Sequence, residues 1–369
     1  MARSNIKAVF ENDVQTVWNV ITDVKNYIWR TDLSKTEIIS DKQFIEYTKN
    51  GYATTFTITL FEPYKRWEFD VENSNIKGHW IGLSTQKGEK IEIDFTEDVT
   101  AKKVLMKPFV KAYLKKQQAR YVKDLARKLK GIMNSKEIID YLKSEASEKY
   151  KENVIKMGIP EKFCIGVSTS TLRKFAKKLD KSNELAFELW NTHYHEARLL
   201  AVLIFDHKCL SYDQIDTLMS EVLSWDLCDH LCKNLIIKLD YYEDFIFNWI
   251  AADHIYKKRA SFVLIAASTI HDKSMTKETL DIYLKLVYEN SCYEHDHIKK
   301  AVSWALREIG KTDFEYAEKV LLTAYDLLAS GNKVQIWIAK DVIKELETVV
   351  KVKERKRLIT SNSKMGRER

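Results

Sequence analysis

An acid and an indole lie one helical turn apart in the segment 224–229, which reads SWDLCD. Residues four apart on a helix share a face, so Trp225 and Asp229 lie together beside the apolar stripe that begins at Leu227. A carboxylate beside an aromatic ring is suited to stabilising a positive charge that develops on a bound ligand. Taken alone, Asp229 is more typical of an ordinary surface acid, and Asp226 of a first-turn acid stabilised by the helix dipole.

Arg259 opens a helix whose following residues are apolar nearly all round. We expect that helix to be buried, and a buried guanidinium needs a partner because an unpaired buried charge is too costly. A phosphate or a carboxylate would serve, since Arg matches either with its two-pronged geometry. The residue types leave open both a ligand contact and a purely structural Arg–Asp pair.

The helix expected at 299–309 places an indole among cations. Its apolar residues recur at i, i+3, i+4 and i+7, which defines a buried stripe. The opposite side carries Lys300, Trp304, Arg307 and Lys311. A nucleic-acid surface needs this combination, because cations contact phosphates and flat apolar rings contact sugars or bases. The alternative is that Trp304 packs against a neighbouring helix.

The cysteine pattern argues against a metal site. Cys228 and Cys232 lie four apart with His230 between them, which could be half of such a site. No second pair follows at zinc spacing, so we interpret both as small apolar core residues. We therefore expect no metal and no cofactor. Five scattered cysteines without a CxxC pair also favour a reducing, cytosolic setting over a disulfide scaffold.

Length and composition predict a soluble protein of two or three domains. The chain has 369 residues, of which 45 % are hydrophobic and 31 % charged, so it can bury a sizeable core. No apolar run approaches the about 20 residues of a membrane span, and the N-terminus lacks the apolar core of a signal peptide. We expect a cytoplasmic protein without membrane contact.

Charge is distributed unevenly along the chain. Residues 1–131 carry a net +6, residues 132–349 a net −5 and residues 350–369 a net +6. The total of +7 does not by itself indicate a nucleic-acid-binding protein. The basic segment 351–369 is more typical of a frayed end than of a phosphate-binding arm.

Residues 1–131 show the period of strands, interrupted by one helix and closed by another. The first helix is expected from Asp13 to Ile28, with Asn12 or Asp13 as its cap. A long basic helix is expected from about Lys107 to Lys130. Between them, alternating stretches predict strands, namely Gln43–Thr48, Ala53–Leu60, Arg66–Glu72, Gly78–Leu83 and Lys90–Thr96. This order predicts an α+β fold whose sheet wraps around the C-terminal helix.

Residues 136–350 show only helical patterns, in pairs joined by short polar turns. Gly131 to Ser135 marks the boundary, since Gly ends the long helix and Asn134 or Ser135 can cap the next. Helix pairs that recur every 40–60 residues or so predict an all-α solenoid of HEAT-like repeats. The expected domains are therefore 1–131, 136–350 and a basic tail at 351–369.

The N-terminal region resembles the START-like (SRPBCC, polyketide cyclase-like) helix-grip domain over residues 3–130. The resemblance depends on the order of the elements and on the segment WRTDL at 29–33. It implies that an apolar small ligand lies between sheet and helix. Four aromatic residues are candidates to line such a cavity or to fill a solid core: Trp67, Phe69, Trp80 and Phe95.

The helical region resembles the AlkD-type DNA alkylation repair glycosylases over about Gly158 to Thr312. The segments that carry the resemblance come in the family's order: GIP at 158–160, GV at 166–167, LR at 172–173, LW at 189–190, EAR at 196–198, WD at 225–226 with Asp229, KRA at 258–260 and KAVSWALRE at 300–308. Tyr256 departs from the Trp that the family often has, and keeps an aromatic face.

The resemblance implies a DNA glycosylase that removes N3- or N7-alkylated purines from duplex DNA. It implies that the functional residues are Trp225, Asp229, Arg259 and Trp304. Further residues expected to contact the DNA are Arg198, Tyr256, Lys258, Lys300 and Arg307. In this hypothesis Asp229 stabilises the oxocarbenium-like sugar, the two indoles flank it, and Arg259 holds a backbone phosphate.

Three alternatives remain at the level of sequence. HEAT-like repeats also serve as non-catalytic DNA-structure binders and as protein scaffolds. A third alternative places the biological role in ligand sensing by the START-like domain. The net −5 of residues 132–349 is a difficulty for DNA binding, and it requires the basic residues of that region to cluster on the DNA-facing surface.

Overall fold

The computed structural model describes residues 1–103 and 107–368, with Lys107 described by its backbone alone. The chain divides into two compact units, Met1–Leu142 and Lys143–Arg369. The first is built on one antiparallel sheet and the second on helices.

The N-terminal unit contains a seven-stranded antiparallel sheet. The strands are β1 Ala2–Phe10, β2 Leu33–Ser40, β3 Gln43–Thr48, β4 Ala53–Glu62, β5 Arg66–Glu72, β6 Ile76–Lys87 and β7 Lys90–Ala101. Their order in the sheet is β1-β7-β6-β5-β4-β3-β2. The sequence did not predict β2, in which buried and exposed residues do not alternate. The five strands that the sequence predicts between the two helices are confirmed, and three of them are longer than expected.

Three helices accompany the sheet: α1 Val14–Thr22, α2 Lys107–Leu129 and α3 Ser135–Ser144. The long α2 packs on β1 and β7, so the sheet grips it as the sequence predicts. Asp13 caps α1 by accepting a hydrogen bond from the Thr16 backbone. The expected extension of α1 to Ile28 is wrong, because the buried stripe ends at Ile21 and the backbone leaves the helical region at Asp23.

A glycine in β6 makes room for an aromatic ring on the inner face of the sheet. A Cβ placed on Gly82 would lie 2.1 Å from the ring of Trp80, far closer than two carbon atoms can approach. The Trp80 ring therefore lies flat along its own strand, where it stacks on Phe69 with centroids 4.5 Å apart. Gly82 is thus a structural requirement of the aromatic cluster beneath α2.

The C-terminal unit consists of helices joined by short turns. No helix among residues 1–103 and 107–368 is both long and apolar enough to cross a membrane. The helices are α4 Glu148–Lys156, α5 Thr169–Ala176, α6 Asn183–Trp190, α7 His195–Ile204, α8 Tyr212–Ser220, α9 Trp225–Asn234, α10 Tyr242–Trp249, α11 Ile255–His271, α12 Lys277–Glu289, α13 Asp296–Gly310, α14 Phe314–Ala329, α15 Lys333–Leu346 and α16 Lys364–Arg367.

Every second helix of this unit belongs to one continuous layer, which we call the site layer. In it α7 packs on α9, α9 on α11, α11 on α13 and α13 on α15. Intervening helices pack against this layer, with α6 on α7, α10 on α11 and α14 on α15. Repeated helix pairs that bury a shared core form the HEAT-like solenoid predicted from the sequence. The central α11 is buried from Lys258 to Thr269, as its apolar sequence requires.

The basic C-terminal segment differs from the frayed end that the sequence predicts. The short strands β8 (Val349–Val350) and β9 (Ile359–Thr360) pair with each other, and Leu358 is buried. Arg357 donates hydrogen bonds to the backbone oxygen and the carboxylate of Glu308. Apolar residues interleaved with the charges anchor the segment, and charge counting alone does not detect them.

Candidate functional site

The α9 helix begins at Trp225 and projects three side chains along one face. Ser224 occupies the N-cap position, although its side chain makes no cap hydrogen bond. Trp225, Asp229 and Lys233 follow at intervals of four residues, so they form one stripe along the helix, which we call the α9 stripe. Trp225 is 38 % exposed and Lys233 is exposed. A ring, a carboxylate and an ammonium group are thus presented in line.

Arg259 of α11 holds the Asp229 carboxylate with two parallel hydrogen bonds. Arg259 Nε donates to Oδ1 and Nη2 donates to Oδ2, each over 2.9 Å. The side chains are 7 % and 10 % exposed, respectively, so both charges are nearly buried and neutralise each other. The sequence left a phosphate and a carboxylate open as the partner of Arg259, and the structure supplies the carboxylate.

The third guanidinium nitrogen joins this pair to the next helix of the layer. Arg259 Nη1 donates to the backbone oxygen of His297, near the start of α13. Arg259 therefore links α9, α11 and α13 through one rigid planar group. Since each of its three nitrogens makes a hydrogen bond, the guanidinium has little freedom to rotate, and it fixes the orientation of the Asp229 carboxylate.

The two charges of this pair have pKa values above their ordinary ranges. Burial raises the pKa of the Asp229 carboxyl, and the hydrogen bonds and charge of Arg259 oppose that rise. Burial disfavours the charged form of Arg259, but Asp229 more than offsets it, so the pKa of the guanidinium is raised. The Arg259 guanidinium is the main influence that favours the ionised form of Asp229.

The first turns of α9, α11 and α13 lie side by side around the pair. The Tyr256 ring of α11 stacks near the His297 ring of α13, with centroids 6.0 Å apart. The Tyr256 hydroxyl donates a hydrogen bond to the backbone oxygen of Leu223, just before α9. The Cys228 thiol donates a hydrogen bond to the backbone oxygen of Tyr256. Three helix N-termini therefore meet here, and their partial positive charges favour an anion such as phosphate.

Trp304 of α13 reaches the α9 stripe through a cation. The Lys233 ammonium lies 5.2 Å from the centroid of the half-buried Trp304 ring. Lys233 also acts on Asp229 one turn earlier, since its charge lowers the pKa of that carboxyl. Trp304, Lys233 and Asp229 thus share one neighbourhood. The sequence did not single out Lys233, although its position one turn after Asp229 could have identified it.

Two residues expected to contact DNA have their cationic groups inside the protein. Arg198 is 6 % exposed, and its guanidinium donates to the Glu221 backbone oxygen and carboxylate and to the Trp190 oxygen. The Lys258 ammonium lies 3.6 Å from the centroid of the Tyr293 ring. Each cationic group binds a residue in a segment that connects two helices, and neither side chain extends into solvent.

The remaining two basic residues that the sequence singled out differ from each other. Arg307 is half-buried and bonds the Glu345 carboxylate of α15 over 2.7 Å. Lys300 is exposed and makes no ion pair with another described residue. Sequence placed both opposite the core stripe of α13, but α15 covers the side on which Arg307 lies.

A group of basic side chains lies beyond the C-terminal half of α9. Arg173 is exposed and donates to the Asn234 side chain over 3.2 Å. Burial lowers the pKa of Lys238, and the charges of Lys181 and Arg173 lower it further, which places these three cations near one another. With Lys233, they supply the clustered positive charge that DNA binding requires in a region of net negative charge.

The acid and the histidine next to the pair have structural partners. His195 Nε2 lies 2.8 Å from Asp226 Oδ2. Burial opposes ionisation of Asp226, but the His195 hydrogen bond prevails and lowers the pKa of the carboxyl. Asp226 thus ties α9 to α7. Cys228 and Cys232 are fully buried beside it, in the core, and no group of three metal-ligating side chains occurs among the described residues.

The sequence model described as DNA alkylation repair enzyme matches residues 138–332, more than half of the chain. The chain belongs to this family. The match contains all nine residues that the sequence singled out as functional. No curated protein matches the chain.

Solved structures similar to this DNA alkylation repair family member fall into two groups. One belongs to "a new family of proteins related to the HEAT-like repeat DNA glycosylases with affinity for branched DNA structures", with 21 % identity, TM-score 0.49 and coverage of 64 % of this chain and 94 % of that one. A START superfamily protein from Mycobacterium smegmatis is 11 % identical, with TM-score 0.33 and coverage of 36 % and 99 %. A conserved protein from Geobacillus kaustophilus is 12 % identical, with TM-score 0.32 and coverage of 35 % and 95 %.

Proposed function

We propose that the protein is a DNA glycosylase that hydrolyses the N-glycosidic bond of N3- or N7-alkylated purines in duplex DNA. The observation that carries the proposal is the Asp229 carboxylate, held by Arg259 on a face that also carries Trp225 and Lys233. Membership of the DNA alkylation repair enzyme family supports it. We further propose the cytoplasm as its location, because the scattered cysteines favour a reducing compartment.

The chemistry needs little more than a well-placed negative charge. Alkylation at N3 or N7 makes the purine cationic, so the base departs with the electron pair of the glycosidic bond. The deoxyribose left behind is an oxocarbenium-like cation, which water attacks at C1′ before it releases a proton to solvent. A carboxylate near C1′ stabilises this cation throughout and can orient the attacking water.

Asp229 supplies that carboxylate in this proposal, and Arg259 acts as a positioning residue. Two unit charges 4 Å apart interact by about 1 kcal/mol in water and about four times as much in a partly desolvated site. The charge of Arg259 offsets part of this attraction, and a net of about 3 kcal/mol that arises in the transition state is worth roughly a hundredfold in rate. Arg259 keeps the carboxylate oriented, so no free energy is spent on reorganising it during the reaction.

The aromatic rings and the cations bind the substrate. Trp225 and Trp304 offer faces to the deoxyribose, and their rings attract its developing charge by cation–π interaction. Lys233, Lys300 and Arg173 contact phosphates, together with the N-termini of α9, α11 and α13. Arg198, Lys258 and Arg307 have structural partners, so we assign them to stability and withdraw them from the proposed DNA contacts.

A second candidate is a DNA-structure binder without catalysis. The observation that favours it is that both oxygens of Asp229 accept hydrogen bonds from Arg259, which a purely structural ion pair would also show. The two functions differ in whether a base leaves. The protein is incubated with N-methylated duplex DNA, and 7-methylguanine and 3-methyladenine are measured by chromatography. Release favours the glycosylase, whereas tight binding without release favours the binder.

A further inference from the structure

The N-terminal unit contains a partly open cavity of about 90 Å³ between the sheet and α2. Since one water needs about 10–15 Å³ of such space, the cavity holds about six to nine waters, and a ring system would extend through its open side. The four aromatic residues that the sequence singled out, Trp67, Phe69, Trp80 and Phe95, all line it. All four also belong to or pack against the buried core of this unit, so the same rings form both the core and the wall of the cavity.

The aromatic walls favour a flat ligand. Phe69 and Trp80 stack with centroids 4.5 Å apart and planes 4° apart. Phe44 and Phe56 form a second stacked pair, with centroids 4.8 Å and planes 3° apart. Trp67 stands edge-on against Phe69. Parallel rings offer extended flat faces, and planar ligands gain most from stacking on them.

One polar group of the wall is the indole N–H of Trp67. Trp67 is 5 % exposed, and its Nε1 has no hydrogen-bond partner among the described residues. A buried N–H donor without an acceptor costs roughly 1–3 kcal/mol, so its presence in a cavity wall points to an acceptor supplied by a ligand.

A carboxylate in the same wall makes no ion pair among the described residues, although the charge of Arg30 acts on it. Glu97 accepts one weak hydrogen bond, 3.4 Å long, from the Gln118 side chain. Ser4 in turn donates to the Gln118 oxygen over 2.7 Å, which fixes the orientation of that amide. No Lys or Arg forms an ion pair with Glu97 among the described residues, and burial raises its pKa to about 7. The carboxyl is positioned to accept further N–H donors.

The Arg30 guanidinium, which lines the cavity, is already neutralised. Arg30 bonds the Asp32 carboxylate over 2.8 Å and the Glu46 carboxylate over 3.2 Å. With Asp23 and Glu97, which also line the cavity, four carboxyl groups accompany this cation. This excess of acidic groups disfavours an anionic ligand such as a fatty acid. A purely apolar ligand would leave Trp67 Nε1 without a hydrogen-bond acceptor and the Glu97 carboxyl without further donors.

We propose that this cavity binds a planar nitrogen heterocycle of the purine type, which donates N–H hydrogen bonds to Glu97 and accepts one from Trp67 Nε1. The aromatic rings stack on the faces of the heterocycle, and Glu97 and Trp67 form hydrogen bonds with the polar atoms along its edge. The inference concerns the N-terminal unit and needs no catalysis in the helical unit. It replaces the purely apolar ligand that the START-like resemblance implies.

Calorimetric titration of the full chain with 7-methylguanine and with caffeine tests the proposal. Caffeine has the same fused rings and keeps the C6 carbonyl acceptor, but it has no N–H donor. We expect 7-methylguanine to bind at least tenfold more tightly. Glu97→Gln should remove this preference and leave caffeine unchanged, whereas Trp67→Phe should weaken both. Glu89→Gln, an exposed acid in the β6–β7 turn, is the matched control and should change neither.

Three results would overturn the proposal. One is absence of 7-methylguanine binding to the native chain. Another is equal binding of the two purines that Glu97→Gln does not alter. The third is binding that Asp229→Asn abolishes while Glu97→Gln leaves it intact, which would place the base in the helical unit. Failure of base release from DNA would refute the proposed glycosylase, but it would leave this titration valid.

Discussion

Arg259 binds Asp229 through two parallel hydrogen bonds of 2.9 Å, and its remaining nitrogen binds the backbone at His297. One planar group therefore determines both the orientation of the carboxylate and its distance from α13. Lys cannot reproduce this arrangement, because an ammonium group is a single point of charge without a fork.

Arg259→Lys should lower the rate of base release by about tenfold to a hundredfold while the affinity for DNA changes less. The cause is loss of carboxylate orientation, which affects the transition state more than substrate binding. Because Arg259 holds the pKa of Asp229 down against burial, the acid limb of the rate profile should also move to higher pH. Single-turnover kinetics between pH 5 and 8 measure both effects. An unchanged profile with a lowered melting temperature would indicate a structural pair only.

Trp304→Leu should reduce base release by about tenfold, because the ring that faces the α9 stripe is lost. Trp337→Leu is the matched control, since this indole of α15 is also partly exposed and also has an ammonium group over its ring, that of Lys299 at 4.6 Å. We expect the control to release base within twofold of the native rate. Equal losses in both variants would show that Trp304 acts only through packing.

Lys233→Gln should decrease the slope of log affinity for duplex DNA against log salt by about 1, because one phosphate contact is lost. Arg198→Met should leave that slope unchanged but lower the unfolding free energy by about 1–3 kcal/mol, since Trp190 and Glu221 lose the hydrogen bonds that this guanidinium donates. Fluorescence anisotropy at several salt concentrations and thermal unfolding measure the two quantities. If Arg198→Met changes the salt slope of DNA binding, Arg198 contacts the DNA after all.

The affinity of the N-terminal cavity for 7-methylguanine should rise about tenfold from pH 6 to pH 8. The pKa of Glu97 is raised to about 7 by burial, and its ionised form accepts N–H donors, so protonation below pH 7 weakens binding. Arg30, Glu46 and Tyr113 are the other titratable groups near Glu97. Titration of Glu97→Gln should show a flat profile over this range. A tenfold rise that persists in the variant would assign the effect to another group.

The sequence predicted the architecture because periodicity records which face of an element is buried. Alternation over 43–96 gave five strands, and the apolar run after Arg259 gave the buried α11. Periodicity did not reveal that Arg357 and Leu358 anchor the C-terminal segment. These contacts join residues about 50 positions apart, and only the folded chain brings them together.

The candidate site was predictable residue by residue, but its internal contacts were not. Trp225 and Asp229 share a face because four residues separate them on one helix. The partner of Arg259 depends on how α9 and α11 pack, and the sequence could only state that a partner must exist. Arg198 and Arg307 were singled out by residue type and motif. Their carboxylate partners lie just after α8 and in α15, so sequence could not show that they are already paired.

The most direct test of the central claim is the single-turnover rate of 7-methylguanine release from methylated duplex DNA by Asp229→Asn. Asp213→Asn, which removes an exposed acid at the start of α8, is the matched control for the change of charge. We predict that Asp229→Asn slows release at least a hundredfold while DNA affinity stays within about threefold, and that Asp213→Asn releases the base at the native rate. Release by Asp229→Asn at the native rate would contradict the account.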